Sequence, residues 1–174
     1  MTPFHFEHIY RAASPASIFA TYWDPLAAAE EDRRAGVAAR ELLEMADRPE
    51  ELLRVSRVWP SRQLPAVVRA LVGSDASYDE TVIWHKKLDR IAYDIRPRML
   101  SGRIHIVATY QLTQAGPGRV RRDYDGQVTA EIRMLGGRVE RGVIEEMGKS
   151  LAITAACTQE SLDKAAGLTP ASRG

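Results

Sequence analysis

The 174 residues carry 24 basic and 23 acidic side chains, for a formal net charge of +1, which argues against a general polyanion-binding surface though not against a small basic patch, and with no basic patch interleaved with aromatics nucleic acid is not expected as a partner. A single cysteine, Cys157, excludes an internal disulfide and a cysteine zinc cluster. The length and a 45% hydrophobic content suit one globular domain, expected over residues 1–167 with a loose tail at 168–174, and no apolar run approaches the ~18 residues of a membrane span.

The opening Met1-Thr-Pro-Phe-His-Phe-Glu-His8 lacks the basic and then apolar regions of a secretory signal. A cytoplasmic protein is therefore expected, with transient contact at a membrane surface left open. From Phe4 to Tyr10 the pattern alternates, with Phe4, Phe6, His8 and Tyr10 on one face, and this predicts a strand. Ser14-Pro15 and Asp24-Pro25 each read as an N-cap followed by proline at the first helical position. They predict short helices from 15 to about 22 and over Leu26 to Arg34, the second ended by Gly36. Val37 to Met45 and Leu52 to Trp59 are strand candidates around an Asp47-Arg-Pro49-Glu turn, although their Leu, Glu and Arg content also suits helices. Leu64 to Gly73 reads as a short apolar helix with proline at its start and glycine at its end.

The clearest strand patterns follow. Tyr78 to Lys86, Ile91 to Arg96, Arg103 to Leu112 and Val120 to Met134 all alternate, separated by turn signals such as Gly116-Pro-Gly118. Gly126 in mid-strand suggests a bend or bulge. After Gly136-Gly137 the period becomes helical. Val139, Val143, Met147 and Leu151 recur at steps of four, and one helix from Arg138 to about Ala166 is expected. Gly142 and Gly148 inside it would allow close packing. In this order the elements describe an α+β chain: a curved antiparallel sheet of about seven strands wrapped around a long C-terminal helix, enclosing a cavity.

Local words agree with that architecture. The first strand with Ser14-Pro15-Ala-Ser-Ile-Phe19 resembles the opening of the START-like, helix-grip superfamily, which includes the birch-pollen allergen type. Ile132-Arg-Met-Leu-Gly136-Gly137-Arg-Val-Glu140, together with Trp59, Leu64-Pro65, Gly73, Tyr78 and Trp84, resembles an uncharacterised bacterial branch of it. The resemblance covers about residues 3 to 165. It implies a container for a lipid, sterol, polyketide or other apolar molecule between sheet and helix, and a minority of the superfamily are cyclases, hydrolases or RNases. It carries over no catalytic residue and no cofactor. Entry through movement of the short helices and of Leu64 to Gly73 is a further implication.

In a concave sheet one alternating face of each strand points inward. The in-phase sets place His8 and Tyr10, Glu41, Arg57, Glu80 and Trp84, Tyr93, Ile106 and Tyr110, and Arg122 and Tyr124 on that face. Val143, Met147 and Leu151 lie on the facing helix stripe. Apolar walls with a few fixed polar groups are what a small-molecule pocket needs. Glu41, Arg57, Glu80 and Arg122 would be inward charges, which must pair or reach solvent. They could hold a ligand's polar head, or form a structural ion-pair network or a solvated mouth. A one-residue slip in the second or third strand would turn Glu41 and Arg57 outward. The four histidines lack metal-binding spacing, and no metal is expected. His8 would serve as a general base only if it sits inward beside Tyr10 or Glu80; a satisfied core histidine is the plainer reading. No nucleophile elbow, P-loop or dinucleotide fingerprint is present. Two rivals to the container stand: a cyclase or hydrolase using His8, Tyr93, Glu80 or Arg122, and an interaction protein with a filled core. Oligomeric state is left open.

Overall fold

The computed structural model describes residues 1–61 and 76–168. The helix expected over Leu64 to Gly73 lies outside the described residues, as does the tail beyond Leu168. The described chain forms β1 (Thr2–Arg11), α1 (Pro15–Trp23), α2 (Pro25–Ala35), β2 (Val37–Asp47), β3 (Glu51–Pro60), β4 (Tyr78–His85), β5 (Arg90–Pro97), β6 (Ile104–Gln114), β7 (Arg119–Ala130) and α3 (Gly136–Ala165). Short 3-10 turns at Lys86–Leu88 and Met99–Gly102 join the strands beside them. The strands make one antiparallel sheet in the order β1-β7-β6-β5-β4-β3-β2. This is the helix-grip fold, with α3 packed against β1, β7, α1 and α2.

The two short helices start where their prolines stand. Asp24 caps α2 through its carboxylate, which accepts from the Ala27 amide at 3.0 Å. Ser14 departs from the expected side-chain cap: its carbonyl, not its hydroxyl, accepts from Ser17. Gly36 closes α2 at φ 77°, a left-handed conformation that favours glycine.

The core is built by the alternating faces of β1, β6 and β7. Ile104, Ile106, Ala108, Tyr110 and Leu112 are all buried, as are Val120, Arg122, Tyr124, Val128 and Ala130 across the ladder. Glycine is required at two places here. Gly126 makes no bulge, because the ladders to β1 and β6 pass through it without a shift in register. It makes room instead. A Cβ there would stand 2.3 Å from the Val107 carbonyl oxygen and 2.6 Å from the Phe4 ring. Gly136 begins α3 rather than preceding it, and a Cβ on it would meet the Ala130 carbonyl at 2.5 Å. The seventh strand accordingly stops at Ala130, short of the expected Met134, which is exposed at φ 64° in the turn to α3. Glu140 in the first turns of α3 is buried and accepts from the Ala130 amide at 2.9 Å and from the Thr2 hydroxyl at 2.6 Å. That pins the helix start to β1 and to its neighbour β7. Gly148 lets α3 approach the Phe6 ring, 3.0 Å from where a Cβ would sit.

β2 carries two register irregularities, between Val37 and Ala39 and between Leu42 and Glu44. Each breaks the period of two. Val37 and Arg40 both line the interior, three residues apart. This corrects the expected inward set. Arg40 lies opposite buried Val58, while Glu41 is exposed. β3 is also out by one residue from expectation. Leu52, Ser56 and Val58 are buried and Arg54 shares their face, whereas Arg57 points the other way and donates to Asp79 at 2.7 Å. The hydrophobic pattern of β3 is mixed on both faces, so alternation alone could not choose between the two phases.

Candidate functional site

Between the concave face and α3 lies a cavity of about 380 Å³. Ile18 and Tyr22 of α1, Ile104, Ile106 and Tyr110 of β6, and Val143, Met147 and Leu151 of α3 supply much of its wall. Of the residues expected inside from sequence, Glu80, Tyr93, Ile106, Tyr110, Arg122, Tyr124, Val143, Met147 and Leu151 line it. His8 and Tyr10 sit on the inner face of β1 but behind Arg122, outside the lining. Trp84 faces inward and is covered by α1, with its ring 5.0 Å from that of Phe19 and 5.6 Å from that of Trp23. Glu41 and Arg57 lie outside, for the register reasons above.

Sequence reasoning missed Arg40, Arg54, Tyr22, Tyr78, Glu31 and Asp32, all of which line the cavity. A signal was available for Tyr22 and Tyr78, whose aromatic rings belong to recognised elements. None was available for Arg40, which the irregular β2 ladder turns inward, or for the acidic pair of α2, which reads as a solvated face.

Polar groups gather in two places. In the first, Arg40 bridges the layers: its Nε donates to Asp32 of α2 and its Nη1 to Glu80 of β4, each at 2.8 Å. Arg54 lies 3.9 Å from the same Glu80 and stacks its guanidinium over Trp23 at 5.0 Å. The Tyr22 hydroxyl stands 2.6 Å from the Tyr93 hydroxyl and accepts from Arg54 at 3.4 Å. Burial pushes the phenols of Tyr22, Tyr93, Tyr110 and Tyr124 above their ordinary value, so they serve as neutral hydrogen-bonding groups.

The second place centres on Arg122, which is 3% exposed. Its Nη2 donates to His8 Nδ1 at 2.5 Å and to the Leu151 carbonyl at 3.2 Å. The guanidinium lies over the rings of Tyr10 and Tyr110, at 5.6 and 5.7 Å. An arginine cannot accept, so His8 Nδ1 must, and His8 is the neutral tautomer with its proton on Nε2. Burial and the adjacent positive charge lower the His8 pKa to about 4. Glu31 of α2 accepts from the Thr158 hydroxyl of α3 at 2.9 Å, and burial raises its carboxyl pKa.

On the outer face, His5, Glu7 and Asp123 bring possible donor atoms within 4.8 Å of one another. His5 is already bonded to Asp125 at 2.7 Å and Asp123 to Arg121 at 2.9 Å. Cys157 is buried in α3, and burial raises its thiol pKa, which suits packing rather than nucleophilic chemistry. No helix among the described residues is long and apolar enough to cross a membrane.

A family model described as protein of unknown function, DUF2505, matches residues 6–162. The chain belongs to the DUF2505 family. No curated protein matches it. Solved structures show the same fold around this DUF2505 chain at low identity. A Thermus thermophilus protein superposes with a TM-score of 0.65 at 15% identity, over 94% of this chain and 98% of that one. An aromatase/cyclase from a Streptomyces species gives 0.64 at 12%, over 99% of each chain. Norcoclaurine synthase from Thalictrum flavum gives 0.64 at 14%, over 92% of this chain and 85% of that one. A START superfamily protein from Mycobacterium smegmatis gives 0.57 at 12%, over 95% and 99%. At these identities the likeness is one of fold alone.

Proposed function

We propose that this DUF2505 protein binds or carries a hydrophobic small molecule, of lipid, sterol or polyketide-like character, in the cavity between the sheet and α3. The observation that supports this reading is the space itself: about 380 Å³ walled largely by aliphatic and aromatic side chains, with clusters of polar groups around Arg40 and Arg122. That volume falls near the lower end of small-molecule pockets, ~300–1,000 Å³. Affinity would come from apolar ligand surface, at about 25 cal/mol per Å² before the costs of association. The same space stands against a filled-core interaction protein.

An enzyme in the same cavity is the rival reading. Shifted groups do cluster there, but the phenols move upward and His8 moves downward, both away from neutrality. Glu31 moves toward it, yet its partner is a threonine hydroxyl, which gives a hydrogen bond and not an activated nucleophile.

Native mass spectrometry of the purified protein, followed by organic extraction, tests the container. A released apolar molecule of defined mass is the expected result. Protein at its sequence mass, with no apolar probe of cavity size taken up on addition, would defeat it.

A further inference from the structure

Resting on that container reading, we infer that the ligand is an amphipathic anion, an apolar body carrying a carboxylate, and that Arg122 receives its head group. The argument is a balance of charge inside the cavity. Arg40 and Arg54 are matched by Asp32 and Glu80, with Arg40 held by both carboxylates. Glu146 is taken by Lys149 at 2.7 Å. Among the described residues two charged groups remain on the wall, Arg122 and Glu31.

Arg122 has no carboxylate within ion-pair distance among the described residues. Its two hydrogen bonds both use Nη2 and both go to neutral acceptors, the His8 ring and a backbone carbonyl. Its Nε is buried without a partner. A buried charge left in that condition is costly, and the rings of Tyr10 and Tyr110 offset only part of it. A guanidinium presents five donors in a planar fork suited to a carboxylate, and here most of that capacity is unused. Glu31, on α2, does not fill the role. It accepts from Thr158 and forms no ion pair with Arg122 among the described residues. The fixed positive charge is therefore Arg122, set among Ile106, Tyr110, Tyr124, Met147 and Leu151 of the apolar wall. A carboxylate arriving there would complete the fork while its hydrocarbon fills the cavity.

The probes are decanoate and decanol, which share a hydrocarbon body and differ in the head group. Isothermal titration at pH 7.5 should find decanoate bound about ten-fold or more tightly than decanol by the wild-type protein, the scale of a hydrogen bond to a charged group. Arg122→Gln should abolish the preference by weakening decanoate alone. Glu31→Gln, which keeps an acceptor for Thr158, should strengthen decanoate by removing a like charge and leave decanol unchanged. Equal affinities for acid and alcohol in the wild type would overturn the anion inference and leave the container standing. A preference that survives in Arg122→Gln would remove Arg122 from the role. Uptake of neither probe would overturn the container reading and the inference with it.

Discussion

His8 and Arg122 face each other across the β1–β7 ladder as direct register partners, and the arginine's Nη2 donates to the ring's Nδ1 at 2.5 Å. An imidazole used in this way is held neutral. Its pKa falls to about 4, first because it is buried and then because of the guanidinium beside it. In the unfolded chain the same ring takes a proton near 6.5. The unfolded state therefore binds more protons between about pH 6.5 and pH 4, and stability falls as pH falls through that window. Titration of the His8 ring by NMR should give a midpoint near 4 in the wild type. In Arg122→Gln the midpoint should move up toward 6.5, and the acid-side loss of stability should shrink. An unmoved midpoint would show that burial alone sets it.

All six tyrosines of the chain have phenol pKa values raised by burial. Unfolded phenols ionise near pH 10. The unfolded state loses protons there while the fold keeps them, so stability is intact below about pH 10 and declines as pH rises above it. Ultraviolet absorbance on raising the pH should show tyrosinate appearing together with the loss of ellipticity, as one transition. A separate, earlier phase of ionisation would mean that at least one phenol reaches solvent.

The Arg40 bridge ties α2 to β4 through Asp32 and Glu80. Arg40→Gln leaves two carboxylates facing each other without the cation between them. The pair is partly exposed, so the loss should be about 1–3 kcal/mol, below that of a fully buried pair. Urea denaturation of Arg40→Gln, Asp32→Asn and the double variant measures the coupling. Simple addition of the two losses would show the bridge to be without energetic weight.

Gly126 and Gly137 should answer alanine in opposite ways. At Gly126 the new methyl meets the Val107 carbonyl and the Phe4 ring, and the backbone of a paired strand cannot step aside. Overpacking of this kind costs about 1–3 kcal/mol. At Gly137, in the first turn of α3, the nearest atom is the end of the Arg141 side chain at 3.5 Å. Alanine there should be neutral or stabilising by up to ~1 kcal/mol, the helix-propensity difference. Paired thermal melts of the two variants decide it, and equal effects would contradict the packing described for Gly126.

Much of this fold was legible in the chain. The period of two from Ile104 to Leu112 and from Val120 to Tyr124 names buried faces, and the period near four from Val139 to Leu151 names the gripping helix stripe. Proline after Ser14 and Asp24 marks both short helices. These signals are local: a strand's or helix's period dictates which residues share a face, whatever lies opposite. Much of the cavity wall follows from them, including Arg122.

Tertiary structure decided what periodicity cannot carry. Two irregularities in β2 turn Arg40 inward and Glu41 outward, and the mixed faces of β3 left Arg54 and Arg57 interchangeable until Val58 and Ser56 were paired with their neighbours. The charge balance of the cavity is a non-local quantity as well. Arg40 finds Asp32 and Glu80 from two different elements, while among the described residues Arg122 hydrogen-bonds to His8 and a backbone carbonyl and meets no carboxylate. A sequence specifies which charges exist and which face each is offered to. Which of them are neutralised depends on distances of a few ångströms between segments far apart in the chain, and Coulomb energy in a buried site is set by those distances.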